Sequence, residues 1–147
     1  MYKRILVATD GSKLSNLAVA HALDLADITG AEVVALKVVP RYPQTYFEGG
    51  VGIPAAEIKD IEKQWQAEAQ SVVNAIKAEG QKRTVKVKAV TAKSDLVAEA
   101  IIATAKRSKC DLIVMASHGR KGLKRLVLGS ETQQVLTHSH VPVLVLR

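Results

Sequence analysis

Residues 111–136 read DLIVMASHGRKGLKRLVLGSETQQVL. The run Leu112-Ile113-Val114-Met115-Ala116 is apolar throughout and too short for a helix. It reads as a strand buried on both faces, as in a parallel sheet. A basic, glycine-bearing loop follows: Ser117-His118-Gly119-Arg120-Lys121-Gly122-Leu123-Lys124-Arg125. Gly129-Ser130 then opens a helical pattern through Glu131, Val135 and Leu136 to about Thr137. A strand, a glycine loop and a helix opening on Gly-Ser are the parts of a phosphate cradle. Glycine lets the backbone approach an anion closely. N–H groups and the positive end of the helix then hold it. The same stretch also reads as a helix start capped by Ser130 with no ligand, and the motif alone leaves both readings open. Neither Gly-x4-Gly-Lys-[Ser/Thr] nor Gly-x-Gly-x-x-Gly is present.

The rest of the chain supplies matching elements. Residues 4–9 form a buried strand, and Asp10-Gly11-Ser12 turns it into a helix with Ser12 as N-cap. That helix runs to about Ile28 with Leu14, Leu17, Ala18, His21, Leu25 and Ile28 at helical spacing. Gly30 stops it. His21 reads as a packed or edge residue. Val33 to Val39 is a β-branched strand ended by Pro40. Residues 40–54 form the one long irregular segment, and its aromatics Tyr42, Tyr46 and Phe47 cover a ligand or dock on the body, with docking preferred. A long helix spans Ala55 to about Glu79, with Ile58, Ile61, Trp65, Ala69, Val72, Val73 and Ile76 on one stripe and Gly80 closing it. Trp65 reads as core. Residues 84–91 alternate lysine with small apolar groups, the mark of an edge strand. Ser94-Asp95 caps a helix through about Lys106 with Leu96, Ala100, Ile101 and Ala105 inward, and Val141 to Leu146 is a last apolar strand.

Alternating strands and helices predict an α/β fold: a doubly wound parallel sheet of five strands, order 3-2-1-4-5, with helices on both faces. Ligands of such sheets bind beyond the carboxyl ends of the strands, where the winding reverses. That point lies between the ends of the first and fourth strands, so Asp10 and Ala116 are expected to meet at one crevice.

A chain of 147 residues suits a single domain over residues 1–147. Its 48% hydrophobic and 24% charged residues are an ordinary globular balance. No apolar run reaches membrane-spanning length, and Met1-Tyr2-Lys3-Arg4 does not open a signal peptide. The single cysteine, Cys110, forms no internal disulfide and reads as a small structural residue in a reducing cytoplasm. The net charge of +7 is uneven: residues 1–73 carry seven basic and nine acidic residues, residues 74–147 fourteen and five. Four of those basic residues, Arg120, Lys121, Lys124 and Arg125, sit in the glycine loop. They raise the local potential from solvent.

With Ala8-Thr9-Asp10-Gly11-Ser12 at one end and Pro142-Val143-Leu144-Val145 at the other, essentially the whole chain resembles the universal stress protein family. Members with Gly-x2-Gly-x9-Gly-[Ser/Thr] form its ATP-binding branch. Here the pattern is Ala116-x2-Gly119-x9-Gly129-Ser130, with alanine, the smallest intrusion, at the first glycine. The resemblance implies ATP with Mg2+ as ligand and a role in stress response or signalling. It implies phosphates on Gly119, Gly129 and Ser130, with Arg120 and Glu131 beside them. It implies Asp10 near the ribose or a divalent ion, adenine on the backbone at Val38, and Ala8, Thr9 and Met115 lining the pocket.

No nucleophile, base and orienting acid stand at a telling spacing, so a binding and signalling protein with at most slow ATP hydrolysis is expected. Three rivals remain: an interaction module without nucleotide, a nucleic-acid binder and an enzyme of the wider adenine-nucleotide-hydrolase-like group. Stacking platforms are scarce at 3% aromatic residues, which counts against nucleic acid. His138-x-His140 lacks a third metal ligand and reads as surface. The two sheet edges differ, with Lys86 and Lys88 on the third strand and no charge on the fifth before Arg147, which predicts a homodimer through the fifth.

Overall fold

The structure, a computed structural model, describes residues 1–43, 52–119 and 127–147. Along the chain run β1 (Arg4–Ala8), α1 (Lys13–Thr29), β2 (Glu32–Val39), α2 (Ala55–Lys82), β3 (Val87–Lys93), α3 (Val97–Arg107), β4 (Leu112–Ala116), α4 (Ser130–His138) and β5 (Val143–Leu146). The sheet has five strands, all parallel, in the order β3-β2-β1-β4-β5 that the alternation predicts.

The central strands are apolar on both sides because both sides are covered. Ile5, Val7, Val33, Ala35, Leu112 and Val114 pack under α1 and α2. Leu6, Val34, Leu36, Ile113 and Met115 pack under α3 and α4. Each such Val, Leu or Ile contributes about 1.5–3 kcal/mol by leaving water. At the amino ends of the strands, Arg4 donates to Glu32 (2.9 Å) and to the Ser108 carbonyl (2.8 Å), while Lys86 also reaches Glu32 (2.8 Å). Asp111 accepts from the N–H groups of Lys3 and Arg4. Lys86 first, and then Arg4, holds the Glu32 carboxyl below its ordinary range by hydrogen bonding.

Several local expectations are corrected. The buried face of α1 is Ser15, Ala18, Val19, Ala22, Leu23 and Ala26, while Leu17, His21 and Ile28 face solvent. Alanines at 18, 22 and 26 form a smooth stripe that lets the helix settle close to the sheet. Gly80 does not end α2, which continues to Lys82. A β-carbon there would stand 2.3 Å from Val87 Cγ2, so the glycine serves a close helix–strand approach instead. The third strand starts at Val87 rather than residue 84, because the chain turns first through Thr84 at φ 58°. Lys86 therefore precedes the edge strand.

Ser94 and Asp95 do not cap α3. The Ser94 hydroxyl accepts from the Leu96 N–H (3.1 Å) and Asp95 accepts from the Arg41 N–H (2.9 Å), so both are engaged in the turn. The helix starts at Val97, and Leu96 points outward. β5 starts at Val143, two residues late, after Pro142. Trp65 is half-buried rather than core and stacks on Tyr42, ring centres 6.0 Å apart. Tyr42 thus docks on the body; Tyr46 and Phe47 lie outside the described residues.

Candidate functional site

The two segments expected to meet do so. β1 and β4 are neighbours, with Val7 beside Val114, so the chain beyond Ala8 and the chain beyond Ala116 emerge side by side. Two turns of different construction follow. After β1, the Gly11 N–H donates to the Thr9 hydroxyl (3.1 Å) and the Ser12 N–H to Asp10 Oδ1 (2.9 Å). Gly11 has φ 79°, a left-handed conformation that favours glycine. Ser12 caps α1 as predicted, its hydroxyl accepting from the Ser15 N–H.

After β4, the Gly129 N–H donates to the Ser117 carbonyl (2.7 Å), and the Thr132 hydroxyl donates to the Ala116 carbonyl (2.9 Å). These two bonds dock the start of α4 against the end of the strand. A β-carbon on Gly129 would meet the Ser117 carbonyl oxygen at 3.2 Å and His118 Cα at 3.3 Å. One on Gly119 would meet Asp10 Oδ2 at 2.5 Å. Gly129 thus permits a close backbone approach, and Gly119 leaves room for the Asp10 carboxylate against the chain after β4. α4 opens at Gly129 with no side-chain cap. Its first-turn N–H groups, orphaned in any helix, therefore have no capping hydroxyl.

The predicted residues divide by position. Asp10, Gly119 and Gly129 converge on the crevice. Ala8, Val38 and Met115 lie on one sheet face, packed with the α3 and α4 core. Strand alternation turns Ala116, 8% exposed, to the opposite face from Met115. Thr9 is buried and its hydroxyl faces Ser15 Oγ at 3.1 Å, so its side chain serves the α1 side rather than the pocket wall. Ser130 does not cap α4; its hydroxyl donates to the Glu131 carboxylate (2.9 Å), and both are exposed at the helix start. Arg120, Lys121, Lys124 and Arg125 lie outside the described residues.

Sequence reasoning missed Lys37. Its ammonium lies 3.4 Å from the Asp10 main-chain oxygen. A lysine inside the otherwise apolar run 33–39 was the available signal. It also missed the contact of Ser117 Oγ with His118 Nδ1 (3.1 Å). Cys110 is buried, and burial pushes its thiol up to about 11, which suits the structural role expected of it. His138 Nδ1 lies 3.0 Å from the Gln134 carbonyl. Among the described residues no three His, Cys, Asp or Glu gather as a metal site, and no helix is long and apolar enough to cross a membrane. A separate cavity of about 690 Å³ opens at the outer end of β2 and β3, walled by Arg41, Tyr42, Glu62, Lys93 and Asp95.

A parallel sheet in the order β3-β2-β1-β4-β5, with helices on both faces and its winding reversed between β1 and β4, defines a class of small doubly wound α/β domains. The family model for the universal stress protein family matches residues 1–147, and the chain belongs to that family. It is 34% identical to universal stress protein MJ0531 of Methanocaldococcus jannaschii, covering all of this chain and 83% of that one. The solved structure of hypothetical protein MJ0577 superposes with a TM-score of 0.77 at 31% identity, covering 99% of this chain and 96% of that one. Two more distant structures share the fold. One is a universal stress protein in complex with cAMP (TM-score 0.71, 23% identity, 99% and 97% covered). The other is that of Archaeoglobus fulgidus in complex with dAMP (TM-score 0.70, 18% identity, 99% and 98% covered).

Proposed function

We propose that the crevice binds ATP with Mg2+ and that the chain is a nucleotide-dependent interaction module of stress response or signalling. The observation that carries this reading is the paired glycine packing. Gly119 lets the Asp10 carboxylate lie against the chain after β4, and Gly129 lets the start of α4 pack on the Ser117–His118 backbone, so these segments meet with no β-carbon between them. Polyphosphate recognition uses such backbone, together with an uncapped helix start. Adenine would stack between Ala8, Met115 and Val38, with its edge on the Val38 backbone. The relatives solved with cAMP and dAMP speak for the capacity of the fold. The glycine geometry supports extending that capacity to this chain.

The residues present fit a magnesium ion. Asp10 offers a hard carboxylate oxygen, Oδ2, on the side of Gly119 where phosphates would lie. The ion would neutralise phosphate charge there. Ser130 would donate to a phosphate oxygen once turned from Glu131, and the Glu131 main-chain N–H, in the first turn of α4, would donate to the same anion. A binding rather than catalytic role, a cytoplasmic location and a homodimer through β5 complete the proposal.

Calorimetry with ATP and Mg2+ tests it, alongside mass spectrometry of ligand released from freshly purified protein. Saturable binding abolished by Gly129→Val is expected, because valine would collide with the Ser117 carbonyl and His118 backbone. Ala116→Gly should change affinity only modestly. No heat and no copurified nucleotide would leave an interaction module that needs no ligand. Tight, salt-sensitive DNA or RNA binding would instead favour the nucleic-acid reading.

A further inference from the structure

We propose that Lys37 is a positioning residue for this crevice, its ammonium holding the Asp10 turn so that the carboxylate stays against Gly119. The inference rests on the nucleotide reading above and adds a residue to it. Lys37 interrupts the apolar run of β2, between the buried Leu36 and the half-buried Val38. Ordering a lysine costs side-chain entropy, and a half-buried strand position favours an apolar residue on packing grounds alone. The placement has a geometric consequence instead. Ala8 pairs with Leu36, and the Thr9 N–H donates to the Leu36 carbonyl (2.9 Å). Lys37 therefore stands beside the first residue past the end of β1, on the face of α1 and α2. From there its ammonium reaches forward to the Asp10 main-chain oxygen at 3.4 Å.

Within the turn the Gly11 N–H donates to the Thr9 hydroxyl, the Ser12 N–H to Asp10 and the Ser15 N–H to Ser12, local contacts that set its internal form. The Thr9 N–H bond to the Leu36 carbonyl ties its start to β2. Lys37 joins the turn to β2, 27 residues away, and so adds a tie from outside the turn. Its charge also lowers the cost of gathering the Asp10 carboxylate and a polyanionic ligand in one place. Lys37 thus acts through Asp10.

Calorimetry of the full chain with ATP and Mg2+ tests this in wild type, Lys37→Met, Lys37→Arg, Asp10→Asn and the Lys37→Met, Asp10→Asn double variant. Lys37→Met should weaken binding by about five- to twentyfold, the scale of a lost charge-assisted hydrogen bond. Lys37→Arg should recover most of that loss. In the Asp10→Asn background Lys37→Met should add little, because the group it positions is gone. Lys37→Gln, polar and uncharged, replaces Lys37→Met should methionine upset folding. Equal losses in both backgrounds, no rescue by arginine, or an unchanged Lys37→Met affinity in a wild type that does bind would overturn this inference alone. A wild type that binds no adenine nucleotide would overturn it together with the nucleotide reading.

Discussion

Oδ2 of Asp10 stands 2.5 Å from the point where a β-carbon on Gly119 would lie. A residue of the turn after β1 and a residue of the loop after β4 therefore meet, 109 positions apart in the chain. Alanine at 119 can be accommodated by rotating the Asp10 carboxylate, the far end of a short side chain. Gly119→Ala should thus leave the melting temperature nearly unchanged while weakening ATP affinity about tenfold, the effect of one displaced charged group. Gly129→Ala differs, since the atoms in its way are backbone at 3.2 and 3.3 Å. It should lower both stability and affinity. A Gly119→Ala variant that melts much earlier, or binds as well as wild type, would contradict the assignment.

Gly80 gives a prediction of stability alone. Its absent β-carbon would sit 2.3 Å from Val87 Cγ2 and 2.9 Å from the Val85 carbonyl oxygen. Alanine raises helix propensity by about 1 kcal/mol. Overpacking costs about 1–3 kcal/mol and should win here, because one of the clashing atoms is backbone. Gly80→Ala should unfold at lower denaturant, and adding Val87→Ala should recover part of the loss. An increase in midpoint on Gly80→Ala would show that α2 and β3 are free to separate.

Glu32 links stability to pH. Lys86 and Arg4 hold its folded-state carboxyl below the ordinary 4.5. The stabilisation is therefore fully present above about 4.5 and is lost as pH falls through the lower folded value. Lys86 is largely exposed and Arg4 and Glu32 are half-buried, so the effect should be small and should shrink with salt. Glu32→Gln should melt slightly below wild type near neutral pH, with the two curves converging in acid. A gap that widens in acid would assign the clamp to other groups.

Much of this architecture was legible because its signals are local and repeated. Each strand is a short apolar run and each helix a periodic one, and their alternation gives a parallel, doubly wound sheet. The meeting of Asp10 with the Gly119 loop follows once the order 3-2-1-4-5 sets β1 beside β4. What escaped reading depended on distances between elements. Gly80 has the sequence character of a helix end, yet its role is set by Val87. The α1 stripe was misplaced because leucines carry more weight in a pattern than alanines, whereas close packing prefers the alanines. Ser94 and Asp95 look like caps, but their bonds go to Leu96 and to Arg41 across the fold. Lys37 went unread within its strand, because its partner Asp10 stands 27 residues away in the chain.

The proposed dimer makes the last prediction. Among the described residues β5 pairs with β4 alone and leaves its other side at the edge of the sheet. Leu144 is 40% exposed there. Val143, in contrast, packs against the α3–α4 core, so a lysine at that position would damage the protomer itself. The opposite edge is written differently. Lys88 is exposed on β3, and Lys93 at its end pairs with Glu62 of α2. An uncharged apolar edge pairs readily with another strand, and a two-fold copy of β5 would close the contact. A stable pair needs more than one short strand, on the order of 1,000 Å² in total. The exposed Leu136 of the neighbouring α4 would contribute to that area. Light scattering should give twice the 15.8 kDa chain mass at micromolar concentration. Leu144→Lys should shift it to the single mass without altering the monomer's fold by circular dichroism. A monomeric wild type, or a dimer indifferent to Leu144→Lys, would move the interface away from β5.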